Sequence, residues 1–526
     1  MPPPSHHPPD DRPPRPPTPA GAQDAGSAAT LGEPPAKGPR KSKAREVGER
    51  AVANTLYRSV GEIVGRLASL VLFAAVARRL GENGLGAFVF AMAYLGFVMV
   101  AVDLGLDRYM LRVIARAHSA ADDVFFNVIA LKLALAVPLF TLTLAGLHLV
   151  GYDSQAQATA LVLAPGVFAD SVARTQSSLF AAQERGGPPS LADAIQRICS
   201  AALGIGALQA GYGVVGVGAA YSAGSLIGVA IGFALMQRTL GVPTRAISRR
   251  GWLALAAGSI PFAAQDTFAV LLARMDTLLL ALLATQAAVG RYGAAYRLFE
   301  STFFIAYALT GAFSAMYTYL GPDSDPPLRF VFQRSIKLSL VLLTPLAITF
   351  AVLADPICRS IYGQTFVSAA QPLRILAPCV VLMGVVILAT SLMVSRENPR
   401  RMVPVAAAMA AINIAINLVL IPLYGDAGAA GAMLATTVVY AAWIMRMSAR
   451  IIGPIAWCHT LAGALAAGIG MTCTGLLLKG DLLAALLAST AVYMIALLTV
   501  ERLVNPLDVA FVVRMVRRRL PSGRVA

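Results

Sequence analysis

From about residue 53 onward the chain alternates between long apolar runs and short polar breaks. Each run is about 20–30 residues long, enough for a helix to cross the hydrocarbon core of a bilayer. The pattern predicts helices near 53–77, 84–106, 123–150, 156–182, 190–210, 214–237, 253–284, 289–320, 333–354, 368–394, 401–423, 427–449, 456–478 and 481–502. The expected fold class is therefore an all-α integral membrane protein of about fourteen transmembrane helices.

The polar breaks carry an orientation signal. The loops after the second, fourth, sixth, eighth, tenth and twelfth helices are basic. They hold Arg108, Arg112 and Arg116; Arg185; Arg238, Arg245, Arg249 and Arg250; Arg329, Arg334 and Lys337; Arg396, Arg400 and Arg401; and Arg446 and Arg450. The opposite loops hold only Arg78, Arg79, Arg291, Arg359 and Lys479. Cytoplasmic loops are the ones enriched in Lys and Arg. An even number of helices with both termini cytoplasmic fits this alternation, in a bacterial inner membrane.

Residues 1–50 break the pattern. Their prolines leave no room for a helix, so a disordered cytoplasmic tail is expected. No apolar run precedes a cleavage site there, so the first helix is expected to act as its own insertion signal. At the other end, Arg514, Arg517, Arg518 and Arg519 make 504–526 a basic cytoplasmic end.

Composition supports this picture and removes others. The chain is 57% hydrophobic and 13% charged, with a mean hydropathy of +0.68. A soluble domain carries nearly twice that share of charge. The net charge of +16 is spread over short loops and the two ends, which argues against nucleic acid as a partner. The five cysteines form no CxxC pair and fall in or beside apolar runs, so neither a disulfide framework nor a metal site is expected. No cofactor and no catalytic residue is expected either.

Three short patterns recur, each time about 210 residues later. Gly86-Ala87 returns as Gly293-Ala294, Ser178-Leu179-Phe180 as Ser391-Leu392-Met393, and Tyr212-Gly213-x-x-Gly216 as Tyr424-Gly425-x-x-Gly428. They imply two parallel six-helix repeats, 51–250 and 251–452, forming two lobes. Residues 453–503 remain as an accessory helix pair. Transporters built of such parallel repeats bind substrate between the halves.

An ionisable group in hydrocarbon costs at least about 2.5 kcal/mol and normally faces a partner or a cavity. Arg58, Glu62 and Arg66 lie along one face of the first helix. Lys132 has no acid three or four residues away. Asp170 and Arg174, and Asp193 and Arg197, are spaced to pair. The seventh helix carries Asp266, Arg274 and Asp276, and the eighth Arg297 and Glu300. Unpaired basic charge at depth suits an anionic ligand. Arg66 and Lys132 are accordingly the first candidates for substrate binding, with Arg58 and Arg297 nearer the faces. Pro261 removes a backbone bond within the seventh helix, about one turn before Asp266. These two are the candidate hinge and coupling group for a proton or sodium ion, unless Asp266 pairs with Arg274.

Several motifs carry a family resemblance. Arg79-Leu80-Gly81 with Leu85-Gly86-Ala87-Phe88, then Asp103-Leu104-Gly105-Leu106, resembles the opening of the polysaccharide-transporter flippases. Val289-Gly290-Arg291-Tyr292-Gly293-Ala294-Ala295-Tyr296 does so at the eighth helix. The run from Asn417 through Ile421-Pro422-Leu423-Tyr424-Gly425 to Gly428-Ala429-Ala430-Gly431-Ala432 resembles their eleventh-to-twelfth helix junction. The resemblance covers about residues 52–500 and places the chain beside the multidrug/oligosaccharidyl-lipid/polysaccharide exporter superfamily. It implies a V-shaped, two-lobed exporter with a basic central cavity. It also implies a flippase that moves undecaprenyl-pyrophosphate-linked oligosaccharide by alternating access, with membrane lipid and polysaccharide assembly proteins as partners. The alternatives are a lipid II flippase or a cation-coupled drug antiporter of the same superfamily. An embedded polysaccharide polymerase or ligase would need reactive groups in sizeable external loops, and the external loops here are short.

The topology has a direct test. Cysteines introduced near Arg359 should react with an impermeant thiol reagent in intact cells, and cysteines introduced within 238–250 should not; labelling at the second site alone would overturn the helix count.

Overall fold

The computed structural model describes the backbone from Arg40 to Val504, apart from 117–120, 150–152, 184, 242–250, 321–323, 325–326, 397–401, 454–456 and 479. Side chains are described from Gly61 onward, with further gaps at single positions and at 454–460. Val52 onward forms one compact unit, separate from the segment that precedes it.

Fifteen helices follow in order among the described residues. They are α1 (Arg40–Asp103), α2 (Leu106–Arg116), α3 (Ala121–Leu149), α4 (Ser154–Ala182), α5 (Gly187–Gln209), α6 (Gly213–Thr239), α7 (Trp252–Leu283), α8 (Gln286–Ser301), α9 (Phe303–Tyr319), α10 (Leu328–Val352), α11 (Ala354–Tyr362), α12 (Ala370–Arg396), α13 (Met402–Ile452), α14 (Trp457–Leu477) and α15 (Leu482–Val504). Among the described residues, ten segments are long and apolar enough to span a membrane. Two of these, in α1 and α13, are 43 and 51 residues long, enough for two crossings each. The chain kinks inside them, at Gly81 (φ 69°) and at Gly425 (φ 57°). Adding α7 and α14 gives the fold class that the apolar runs imply.

The repeat is visible in the backbone. Gly213 and Gly425, partners in the recurring Tyr-Gly-x-x-Gly pattern, both adopt positive φ, at 61° and 57°. Each begins the last helical stretch of its half. In the first half α6 packs on α4 and α5; in the second, α13 packs on α12 and α7. The α6 face is made of small residues: Gly224 lies against Ser200, Gly228 against Gln196 and Gly232 against Gln176. Small residues let membrane helices approach closely, where lipid supplies no hydrophobic drive. The accessory pair α14 and α15 packs together and against α10. There Lys337 of α10 meets Glu501 of α15 at 2.5 Å.

Four segments differ from the sequence expectation. α1 begins at Arg40, within the stretch 1–50 expected to be a tail without helix; Pro39 is the last proline there, so nothing beyond it bars a helix. The basic stretch after the second predicted helix is a helix, α2. Leu106, Met110 and Ile114 at i, i+4 and i+8 are fully buried, while Arg108, Arg112 and Arg116 are exposed. The short periodicity is masked by the arginines that share it. The predicted helix 289–320 is broken at Thr302 into α8 and α9. The stretch 355–367 is no open loop: α11 and a 3₁₀ turn at Gln364–Ala369 bury Cys358, Tyr362 and Phe366.

The halves meet at both ends of the bundle. At the α11 end, the start of the second stretch of α1 crosses α8 almost backbone to backbone. A Cβ on Gly86 would fall 2.1 Å from the Gln286 carbonyl oxygen, and one on Gly290 only 2.0 Å from that of Glu82. Around this crossing, Arg291 pairs with Glu82 and with Asp426, each at 2.9 Å. Ser368 donates to Glu82 at 2.9 Å, and Arg78 donates to the carbonyls of Ile361 (2.8 Å) and Ser360. At the α2 end, the corner between α1 and α2 turns on Leu104 (φ 45°) and Gly105 (φ 69°). A Cβ on Gly105 would lie 2.5 Å from Ala263 N, so only glycine lets the corner rest on α7 beside Pro261.

Candidate functional site

A cavity of about 790 Å³ lies between the halves. Its walls come from α1, α4, α5 and α6 on one side and α7 and α8 on the other. Six arginines line it, Arg66, Arg174, Arg185, Arg197, Arg274 and Arg297, against four acids, Glu62, Asp170, Asp193 and Glu300. All the basic groups are guanidiniums, which are planar and hydrogen-bond oxyanions two atoms at a time. The lining also includes Phe73, Phe88, Phe180, Tyr221 and Tyr296, apolar or amphipathic surface between the charges.

The arginines converge on the break between α8 and α9. Arg66 bonds the Glu62 carboxylate at 2.6 Å and donates to the Glu300 carbonyl at 3.0 Å, tying α1 to the end of α8. Helix-terminal carbonyls lack intrahelical donors, and Arg66 supplies one from the other half. Arg297 meets Glu300 at 3.0 Å, donates to Ser69 of α1 and lies 4.7 Å over the Phe73 ring. Arg274 stands 3.9 Å from the same Glu300. Three expected residues, Arg66, Arg274 and Arg297, are thus brought to one place. Arg58 lies on α1, but its side chain is outside the described residues.

Lys132 is placed elsewhere, which corrects the reading of it as an unpaired charge. Its ammonium group is fully buried, 2.9 Å from Asp103 and 2.8 Å from Asp107, with Ser171 and Thr175 each at 3.0 Å. The acids come from α1 and α2, so spacing along α3 could not reveal them. The same Asp103 receives Arg174 at 2.7 Å, so Arg174 turns away from Asp170, its expected partner. Asp170 instead accepts from Tyr221 (2.7 Å) and Gln196 (2.5 Å). Arg197 does pair with Asp193, at 3.1 Å, and both line the cavity.

On α7, Asp266 neither pairs with Arg274 nor stands alone. It meets Arg108 of α2 at 2.7 Å, just beyond the Gly105 corner. The acid that sequence reading passed over is Asp276. It is 1% exposed, and among the described residues no ion pair reaches it. Its oxygens accept from Tyr292 (2.9 Å) and Asn417 (2.6 Å), and Asn417 also bonds Asn413. Asn413 and Asn417, four apart in an apolar stretch of α13, were the available signal. Among the described residues, no cluster of three His, Cys, Asp or Glu is placed to hold a metal ion.

The Lys132 network makes a stability prediction. Removing one partner of a buried charge network leaves the others uncompensated, at a cost of about 3–5 kcal/mol. Lys132→Met should therefore lower the unfolding temperature of the detergent-purified protein sharply, whereas Arg66→Ala, in the open cavity, should lower it much less. Equal thermal stability of Lys132→Met and the parent protein would overturn the structural assignment.

Known proteins agree with this architecture. A solved structure of the lipid II flippase MurJ in an inward closed conformation superposes with a TM-score of 0.73, over 85% of this chain and 99% of that one, at 13% identity. A multidrug resistance MATE family transporter in an inward-facing conformation superposes with a TM-score of 0.59, over 76% and 98%, at 15% identity. At these identities the likeness is one of fold alone, the two-lobed helical bundle. In sequence, the chain is 23% identical over 402 residues to the probable low-salt glycan biosynthesis flippase Agl15 of Haloferax volcanii, covering 75% of this chain and 83% of that protein. The model of the family described as polysaccharide biosynthesis protein matches residues 51–313, from the first helix through most of α9. On that match, which spans half of the chain, the chain belongs to the polysaccharide biosynthesis protein family.

Proposed function

We propose that this protein is a flippase carrying a lipid-linked oligosaccharide across a bacterial inner membrane by alternating access, for surface polysaccharide biosynthesis. The carried lipid is undecaprenyl pyrophosphate, and both termini face the cytoplasm. The observation that carries the reading is the arginine-rich cavity between the two halves. A pyrophosphate brings at least two negative charges into the membrane, and uncompensated they would cost far more than any single contact returns. Fixed guanidiniums at depth supply the compensation, and the aromatic surface between them suits sugar rings. A drug cation would favour the opposite balance of charge. The flippase name of the Haloferax relative points the same way.

Alternating access is supported by the contacts between the halves at the two ends. With the termini inside, the α11 end is external. It is held shut by the ion pair of Arg291 with Glu82, beside the Gly86–Gly290 crossing. The α2 end is cytoplasmic and is held by Arg108 and Asp266 at the Pro261 hinge. The latter pair is partly exposed, and exposed pairs contribute little, so this end is the easier to open. Asp276 is the coupling carboxylate in this scheme. A buried acid without a basic partner is neutralised by a proton or a sodium ion taken from the aqueous side. Asp276 bonds both Tyr292 of α8 and Asn417 of α13, so a change in its charge acts on two helices of one lobe.

Two measurements test this reading. Arg66→Ala should abolish surface polysaccharide at unchanged protein abundance, and Arg66→Lys should impair it although the charge is kept; normal export by Arg66→Ala cells would remove Arg66 from the binding site. Asp276→Asn should flip substrate at a rate independent of an imposed ion gradient, while Asp266→Asn should remain gradient-dependent; the reverse pattern would return the coupling role to Asp266.

A further inference from the structure

Glu300 is the cavity residue on which guanidiniums from three helices converge, two on its carboxylate and one on its main-chain carbonyl. Its two oxygens are divided: Oε2 takes Arg297 at 3.0 Å, while Oε1 faces Arg274 at 3.9 Å. Arg66 of α1 reaches the same residue through its main-chain carbonyl, at 3.0 Å. Neither carboxylate contact is a bidentate lock, and a guanidinium has five N–H donors, so each arginine keeps donors in reserve. Arg274 and Glu300 are 40% and 27% exposed to the cavity, open to displacement by a soluble anion. The residue also stands at the α8–α9 break. There Thr302 N donates to the Phe299 carbonyl and Ile305 N to that of Thr302, a locally tightened turn.

We propose that the Glu300 carboxylate is a resident counter-ion occupying the phosphate position of the empty carrier, which an incoming pyrophosphate displaces from Arg274 and Arg297. This rests on the reading of the cavity as a pyrophosphate site and adds what that site does when vacant. Without Glu300, Arg274 and Arg297 would lose the carboxylate they face, while Glu62 is already bonded to Arg66. With it, the empty carrier returns across the membrane with its positive charges balanced, and the loaded one crosses with the phosphate in the same balancing role. Glu300 then swings away from two arginines at a point where the helix is already broken. Binding of the anion is in this way linked to the angle between α8 and α9.

A tethered carboxylate competes with the ligand. A site filled by its own side chain nine-tenths of the time binds a ligand about tenfold more weakly than the vacant site. The test is titration of inorganic pyrophosphate into the detergent-purified full chain, followed by calorimetry. Glu300→Gln should bind pyrophosphate about tenfold more tightly than the parent protein. Glu300→Asp, which keeps the charge but draws it back from Arg274 and Arg297, should shift in the same direction by a smaller factor and serves if the Gln variant misfolds. Unchanged or weakened binding in Glu300→Gln, or in Glu300→Asp where that variant stands in, with binding still lost in Arg66→Ala, overturns the counter-ion role and leaves the anion site standing. Binding unaffected by Arg66→Ala overturns the anion site itself, and the counter-ion role with it.

Discussion

The structure depends on one constraint: a guanidinium or ammonium held among membrane helices must have an oxygen partner from the protein or from what it carries. Lipid offers none. Three sets of the described charges show it. Some are closed within one lobe, as Lys132 is by Asp103 and Asp107. Some tie one lobe to the other, as Arg291 does with Glu82. A few, around Glu300, are matched loosely and face open space. The first kind makes a lobe a rigid body, the second sets which end is shut, and the third leaves the site able to exchange partners.

The short motifs find their meaning in that scheme. Asp103-Leu104-Gly105-Leu106 is a corner in which each position has a mechanical task. Asp103 anchors Lys132 and Arg174, Leu104 and Gly105 turn the chain through positive φ, and Leu106 starts the buried stripe of α2. In Val289-Gly290-Arg291-Tyr292, Gly290 permits the crossing, Arg291 pairs beside it, and Tyr292 reaches Asp276. None of these residues bears on a ligand; each fixes how the two halves are built and packed.

How much of this is legible in the sequence follows the range of the interaction concerned. Helix positions and the repeat are local or periodic, and the apolar runs with the recurring Tyr-Gly-x-x-Gly disclose them. The i, i+4 pairing of Glu62 with Arg66 and of Asp193 with Arg197 is equally local, and both pairs form. Asp170 and Arg174 have the same spacing and do not pair, because Asp103 from another helix competes better for the arginine. Lys132 and Asp266 fail for the same reason: their partners lie 25 or more residues away, and nothing in a single chain's spacing marks them. The α2 helix escapes because three arginines outweigh three buried residues in any average of hydropathy.

The crossing of Gly86 and Gly290 has a further consequence. Most helix contacts interdigitate side chains, so sliding one helix over another means lifting knobs out of holes. Here main chain meets main chain, and there is no relief to climb. Such a contact bears load yet resists rotation very little, which makes it a fulcrum rather than a clasp. In the alternating access proposed above, the two lobes rock about it while the distance between their axes stays fixed. The tempo of rocking is then left to the ion pairs at either rim, which can be retuned one residue at a time without rebuilding the joint.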